Sequence, residues 1–339
     1  MSQQAEVNVA AGSAASPFDG RLAAPVEQET GRRGEAITLR QRKQRSLWGN
    51  AWRQFRHHRL AMAGLVVFGF LVLATFGGTA IYPLEIDELD FMATMAAPSL
   101  AHPFGTDALG QDLLARVLWG GRISIGVGLV AAAVAIVVGT AIGALAGFFG
   151  GVTDSALMRL TDLFISLPQV PLLLVISFLY KDAFYNFFED RTGDGTVGVF
   201  ILIVFVIGLL NWMPTARLVR ASFLSMKEKE FVESARSIGA TRSMLMFRHI
   251  LPNVMSPIIV AATLGVGAAI ITESALSFLG LGFTSDVPTW GSMLLDGKDN
   301  VEFAPHMALF PGAMIFLTVL AINYVGDGLR DALDPRKTQ

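Results

Sequence analysis

Six runs of about 20 or more residues with almost no charge, near 60–82, 119–149, 160–180, 196–216, 250–272 and 305–326, restrict the folding of this chain more than any other feature. A hydrocarbon layer about 30 Å thick is crossed by roughly 20 helical residues. Backbone N–H and C=O groups find no water in that layer, so each run must satisfy them internally, as a helix does. The pattern predicts an all-α polytopic membrane protein with six transmembrane helices. Composition agrees: 53% of the residues are hydrophobic and 16% charged, whereas soluble domains carry about 25% charged residues. Cysteine is absent, which excludes disulfides, thiolate metal sites and cysteine nucleophiles.

Charge orients the runs. Arg32, Arg33, Arg40, Arg42, Lys43 and Arg45, joined by Arg53, Arg56 and Arg59, precede the first run and predict a cytoplasmic N-terminus. Next to a membrane span this block reads as a topology anchor, and nucleic acid is not expected as a partner. The loops then placed outside, 82–118, 181–196 and 273–306, hold fifteen Asp/Glu against four Lys/Arg. With Arg122, five of the 26 basic residues lie outside and 21 inside. Six spans return the C-terminus, with Arg330, Arg336 and Lys337, to the cytoplasm. No cleavable leader is expected, because the first apolar run starts near Leu60 behind a long polar tail. Trp48, Trp52 and Phe55 predict a short helix at the interface with its aromatic face toward lipid.

The segment from Arg217 to His249 lies between two apolar runs and carries seven Lys/Arg against three Glu, as a cytoplasmic loop should. Within it Phe231, Ala235 and Ile238 recur at helical spacing and predict one apolar strip. Glu228, Glu230 and Glu233 stand near the start, where a helix dipole favours anions, and Gly239 predicts the stop.

This segment resembles the inner-membrane permeases of binding-protein-dependent ABC importers. Their signature is Glu-Ala-Ala, three residues, Gly, nine residues, then Ile-x-Leu-Pro. Here it reads Glu233-Ser234-Ala235, Gly239 and Leu251-Pro252, with Ser234 replacing an Ala and His249 standing where Ile is expected. The resemblance implies a coupling helix over 229–241 that docks on a cytoplasmic ATPase, with Glu230, Phe231, Glu233, Ala235, Arg236, Ile238, Gly239 and Ala240 as coupling residues and Leu251 and Pro252 closing the motif. It implies as partners a second permease, commonly a different chain, two ATPase subunits and an extracytoplasmic binding protein, besides membrane lipid. ATP would be bound by the ATPases, whose closure draws the coupling helices together and turns the path outward. The chain itself would hold no cofactor. Residues 102–124 (HPFGTDALGQDLLARVLWGGRIS), 274–283 (SALSFLGLGF), 288–294 (PTWGSML), 309–316 (LFPGAMIF) and 323–336 (NYVGDGLRDALDPR) resemble the dipeptide, oligopeptide and nickel subgroup. The implied organisation is a disordered tail over 1–45, an interfacial helix, first span and outer loop over 46–117, a five-helix core over 118–331 and a cytoplasmic tail over 332–339.

Other positions carry narrower expectations. Thr106 or Asp107 should cap a helix bearing Leu109, Leu113, Leu114, Val117 and Leu118 on one side. Gly139, Gly143, Gly147 and Gly151, four apart, predict a helix-packing seam. Arg159 and Asp162 should pair on one face, and Pro168 and Pro171 should bend the third span. Residues 181–195 read as an outer loop. Glu273 sits at the end of the fifth run, inside the membrane or solvated at its interface. The five histidines show no metal-ligand spacing outside the basic tail, and no GxxxxGK[ST] or GxSxG occurs, so nucleotide chemistry must come from another chain. A rival function is an ATP-independent channel or facilitator, for which the charged segment would be unnecessary.

Overall fold

The computed structural model describes residues 47–82, 85–283 and 287–334. The tail expected over 1–45, the Trp48 side chain and residues 335–339 lie outside them. All regular elements among the described residues are helical. In chain order they are α1 (Leu47–His57), α2 (Arg59–Ile81), α3 (Leu113–Phe149), α4 (Gly151–Ser166), α5 (Gln169–Thr192), α6 (Gly195–Leu209), α7 (Met213–Lys227), α8 (Glu230–Ser237), α9 (Arg242–Met244), a π-helical turn (Leu245–Ile250), α10 (Leu251–Phe278), α11 (Trp290–Lys298) and α12 (His306–Leu333). Five helices are long and apolar enough to cross a membrane, or six if α6 and α7, bent by 44° at their break, form one span.

The 37-residue α3, about 55 Å long, is the axis of the bundle and packs against α2, α6, α7 and α10. Its most extensive packing is against α7, and glycines make it close. A Cβ on Gly139 would stand 2.6 Å from the Trp212 carbonyl oxygen, one on Gly143 2.4 Å from that of Ala216, and one on Gly147 2.7 Å from the Phe223 Cβ. The fourth expected member, Gly151, meets nothing within 4 Å; it adopts φ +55° and starts α4. Small residues let helix backbones meet in lipid, where apolar burial does not drive association.

Hydrogen bonds gather the connections at two ends. At the acidic end, the Tyr82 hydroxyl donates to Asp112 Oδ2 (3.0 Å), His306 Nε2 lies 3.2 Å from the Thr106 carbonyl oxygen, and Trp290 Nε1 donates to the Val117 carbonyl (3.0 Å). At the basic end, Lys227 Nζ donates to the Phe148 carbonyl (2.7 Å) and Ser256 Oγ to that of Leu333 (3.2 Å). Glu273 is fully buried between them, so neither interface nor solvent reaches it. Its carboxylate accepts from Ser277 Oγ (2.8 Å), Ser124 Oγ (3.1 Å) and Ser274 Oγ (3.4 Å), and Ser124 Oγ accepts from Trp290 N–H (3.2 Å). One side chain thus ties α3, α10 and the start of α11 together.

Several local expectations are corrected. The cap of α3 is Asp112, whose Oδ1 accepts from Ala115 N–H at 2.8 Å. Asp107 instead folds the preceding loop by accepting from Leu109 and Gln111 N–H. Residues 181–192 are not a loop: α5 runs through them, and only Gly193, at φ +74°, and Asp194 separate it from α6. Lys181 and Asp182 end the apolar run without ending the helix. The third span does not bend but breaks: Pro168 caps α5, and Pro171 falls in its first turn, where a missing N–H is harmless. Asp162 pairs not with Arg159 but with Arg217, at 2.5 Å. Phe55 does not face lipid; it packs on Ala61 and Ala332, leaving Trp52 exposed and stacked on it at 5.9 Å.

Asp112 has a second task. Its Oδ2 lies 2.8 Å from His102 Nδ1 and accepts from Tyr82. Burial, then the Asp112 hydrogen bond and charge, push the Tyr82 phenol from 10.0 up to about 12. A raised pKa means that the protonated phenol is favoured in the fold, so this contribution is complete below pH 10 and is lost as pH climbs toward 12. Asp112→Ala removes the cap, worth about 1 kcal/mol, and both partners' acceptor. We expect a lower melting temperature in detergent and, in an ultraviolet titration, one tyrosine ionising at lower pH than in the parent.

Candidate functional site

Two features at the basic end and in the adjoining bundle carry no evident structural necessity. The first is α8. It follows α7 after two residues, and Lys229 is its N-cap. Val232 and Ala235, three apart, are buried against Phe148, Phe223, Leu245 and Met246. The expected strip of Phe231, Ala235 and Ile238 is therefore split: Ala235 points inward, while Phe231 is 42% and Ile238 87% exposed. Val232, the inward anchor, was missed; its i,i+3 spacing to Ala235 was the available signal.

Glu230, Glu233 and Arg236 are exposed beside Phe231 and Ile238. Gly239 ends the helix at φ +90°, a left-handed conformation that strains residues bearing a Cβ. Its N–H donates to the Arg236 carbonyl (3.0 Å), and Ala240 N–H reaches back to that of Ala235 (3.0 Å). These two bonds are the double closure of a Schellman turn. Ala240 is half-buried. The chain then re-enters the bundle through α9 and the π turn. Pro252 offers no N–H to the carbonyl four residues back, and Leu251 N–H bonds instead to Met246, five back. Leu251 packs on the same cluster as Val232, while Pro252 is exposed at the start of α10. Below α7, Arg220 donates twice to Asp154 on α4, holding that carboxyl below its usual range. The result is a short rigid knob, anchored by apolar contacts and presenting an apolar pair within a charged rim. Among the described residues no group of His, Asp and Glu is placed to hold a metal ion.

The second feature is the pair of helix breaks, at Leu167–Pro168 and at Leu210–Trp212. They border one cavity of about 500 Å³, lined by Phe164, Leu172, Leu210, Met213, Gln169 and Asn211 among others. Gln169 Nε2 donates to Asn211 Oδ1 (3.2 Å), and Asn211 Nδ2 donates to the Ile207 carbonyl (2.8 Å). Sequence reasoning passed over both amides, although each is a lone polar residue beside a break in an apolar run.

Comparison with known proteins gives this arrangement a context. Residues 139–339 match the family described as binding-protein-dependent transport system inner membrane component, and residues 46–103 match the N-terminal TM domain of oligopeptide transport permease C. The chain is 38% identical over 294 residues to the oligopeptide transport system permease protein OppC of Haemophilus influenzae, covering 86% of this chain and 89% of that protein. It is 37% identical over 300 residues to the glutathione transport system permease protein GsiD of Pectobacterium atrosepticum, covering 88% and 94%. The dipeptide transport system permease protein DppC of Alkalihalophilus pseudofirmus is 36% identical over 291 residues, covering 86% and 90%. A family match over residues 139–339, more than half of the chain, together with a relative 38% identical over 86% of this chain, gives the assignment: the chain belongs to the binding-protein-dependent transport system inner membrane components, as a permease subunit and not an enzyme, in an importer whose ATPase is a separate chain.

Proposed function

We propose that this chain pairs with a second permease to form the path of an ATP-driven importer for short peptides, delivered by an extracytoplasmic binding protein. The basic end lies in the cytoplasm with both termini, and α8 docks there on one of two ATPase subunits. The exposed pair Phe231 and Ile238, set among Glu230, Glu233 and Arg236, carries this reading. An apolar centre with a charged rim is what a complementary groove recognises. Ala235 and Leu251 serve by anchoring the knob rather than by touching the ATPase, and Pro252 serves by shaping the backbone where α10 begins. The peptide class is supported by the names of the similar permeases for oligopeptides, dipeptides and glutathione. Residues 46–117 and 118–331 act as a leading segment and a transport core.

Two measurements test this assignment. The chain has no cysteine, so Ser237→Cys gives one thiol: an impermeant maleimide should reach it in inside-out vesicles and not in intact cells. Labelling from outside would reverse the orientation. Gly239→Val places a β-branched residue at φ +90°, where nothing lies within 4 Å of the new Cβ; the strain, about 1–2 kcal/mol, falls on the turn alone. The complex should still assemble, and stimulation of ATP hydrolysis by loaded binding protein should be lost. Uptake without any ATPase would instead identify a channel.

A further inference from the structure

The cavity between the two helix breaks is not used by the docking knob, yet it breaks two rules of membrane helices at one place. The chain is interrupted there twice, between α4 and α5 and between α6 and α7, and two carboxamides stand beside the interruptions. Irregular backbone at membrane depth persists only where protein shields it or where it lines a wet cavity. The 15 residues of α6 put the second break about 22 Å from the acidic end, within the inner part of a bilayer about 30 Å thick.

We propose that Gln169 and Asn211 are the point at which the transported solute's main-chain amide groups are met inside the path. This rests on the peptide-importer reading above. A carboxamide has two donors and a carbonyl acceptor. Among the described residues, the mutual bond and the Asn211 bond to Ile207 leave one N–H of each amide, and the Gln169 carbonyl, unengaged. A passing peptide bond can take up this capacity or replace the mutual bond, exchanging one amide hydrogen bond for another at little net free energy. Transport needs that balance, because a site that holds a solute tightly does not release it.

The surroundings fit the same solute. Phe164, Leu172, Leu210 and Met213 offer apolar contact without selecting a side chain. Arg217, which lines the same cavity, pairs with Asp162 at 2.5 Å. Asn211 also borders a second cavity of about 300 Å³, whose walls include Ala131, Ala135, Gly265 and Ala268, residues small enough to leave room for a peptide chain. One amide thus stands between two adjoining spaces.

The test uses the complete importer in proteoliposomes, with a library of two- to five-residue peptides quantified by mass spectrometry. Asn211→Leu should assemble normally and lower peptide uptake per ATP hydrolysed by about fivefold, the worth of one hydrogen bond. The double variant Gln169→Asn with Asn211→Gln, which keeps the amide pair, should recover most of that ratio. Unchanged uptake per ATP in Asn211→Leu overturns the assignment. So does a fall explained by lost assembly, which would make the pair a structural pin. Parent importer that takes up no library peptide with ATP overturns the peptide reading itself, a result visible before any variant is made.

Discussion

Gly143→Leu should abolish recovery of folded protein from membranes, whereas Gly69→Leu should be recovered like the parent. A Cβ at position 143 would lie 2.4 Å from the Ala216 carbonyl oxygen and 2.9 Å from the Val219 Cβ. Both belong to α7, whose backbone cannot turn aside as a flexible side chain can. A leucine there forces the α3–α7 pair apart along its length, undoing the Gly139 and Gly147 contacts as well. Overpacking a well-filled site costs about 1–3 kcal/mol, and separating the central seam should exceed the upper figure. At Gly69 nothing lies within 4 Å of the added carbon, and leucine is the better helix former. Size-exclusion profiles of tagged variants after detergent extraction decide the matter; a sharp parental peak for Gly143→Leu would remove α3 from its role as axis.

Glu273→Leu is the second large effect expected. Leucine nearly conserves volume but leaves the hydroxyls of Ser277, Ser124 and Ser274 without the carboxylate that accepts from them. Each buried hydroxyl without a partner costs about 1–3 kcal/mol, and local rotation relieves some of them. A net loss of about 3 kcal/mol, or roughly 6–10 °C in melting temperature, is expected. Glu273→Gln keeps one carbonyl acceptor, and its amide N–H can donate to a hydroxyl turned to accept, so it should lose about 1 kcal/mol. The order Leu worse than Gln is the diagnostic point. Equal melting temperatures for the two would mean that the side chain fills space and does not tie α3, α10 and α11 together.

What was legible in the sequence follows from chemistry that is local and cumulative. Long uncharged runs declare membrane helices because every residue adds to the transfer free energy, so five or six such helices were readable, although the third was displaced from 160–180 to Gln169–Thr192. The Gly239 stop was readable because a left-handed turn after a helix asks for glycine whatever surrounds it. Three of the four ridge glycines sit in the seam, since a repeat of four keeps one helix face.

Other features depended on partners distant in the chain. Asp162 binds Arg217, 55 residues on, not Arg159 beside it. Glu273 is buried because Ser124, 149 residues earlier, packs against it. Gln169 and Asn211 meet across 42 residues because two breaks fall side by side. The inward face of α8 was set by the Phe148, Phe223 and Leu245 cluster, not by its own strip. In water an apolar stripe points to the core, but in lipid the outward face is as apolar as the inward one, so hydropathy counts the helices and leaves their rotation unspecified. The chain by itself determined that six apolar lengths and one charged knob exist. Close packing of backbones and the pairing of buried polar groups, which only the assembled bundle brings within reach, decided which sides of them meet.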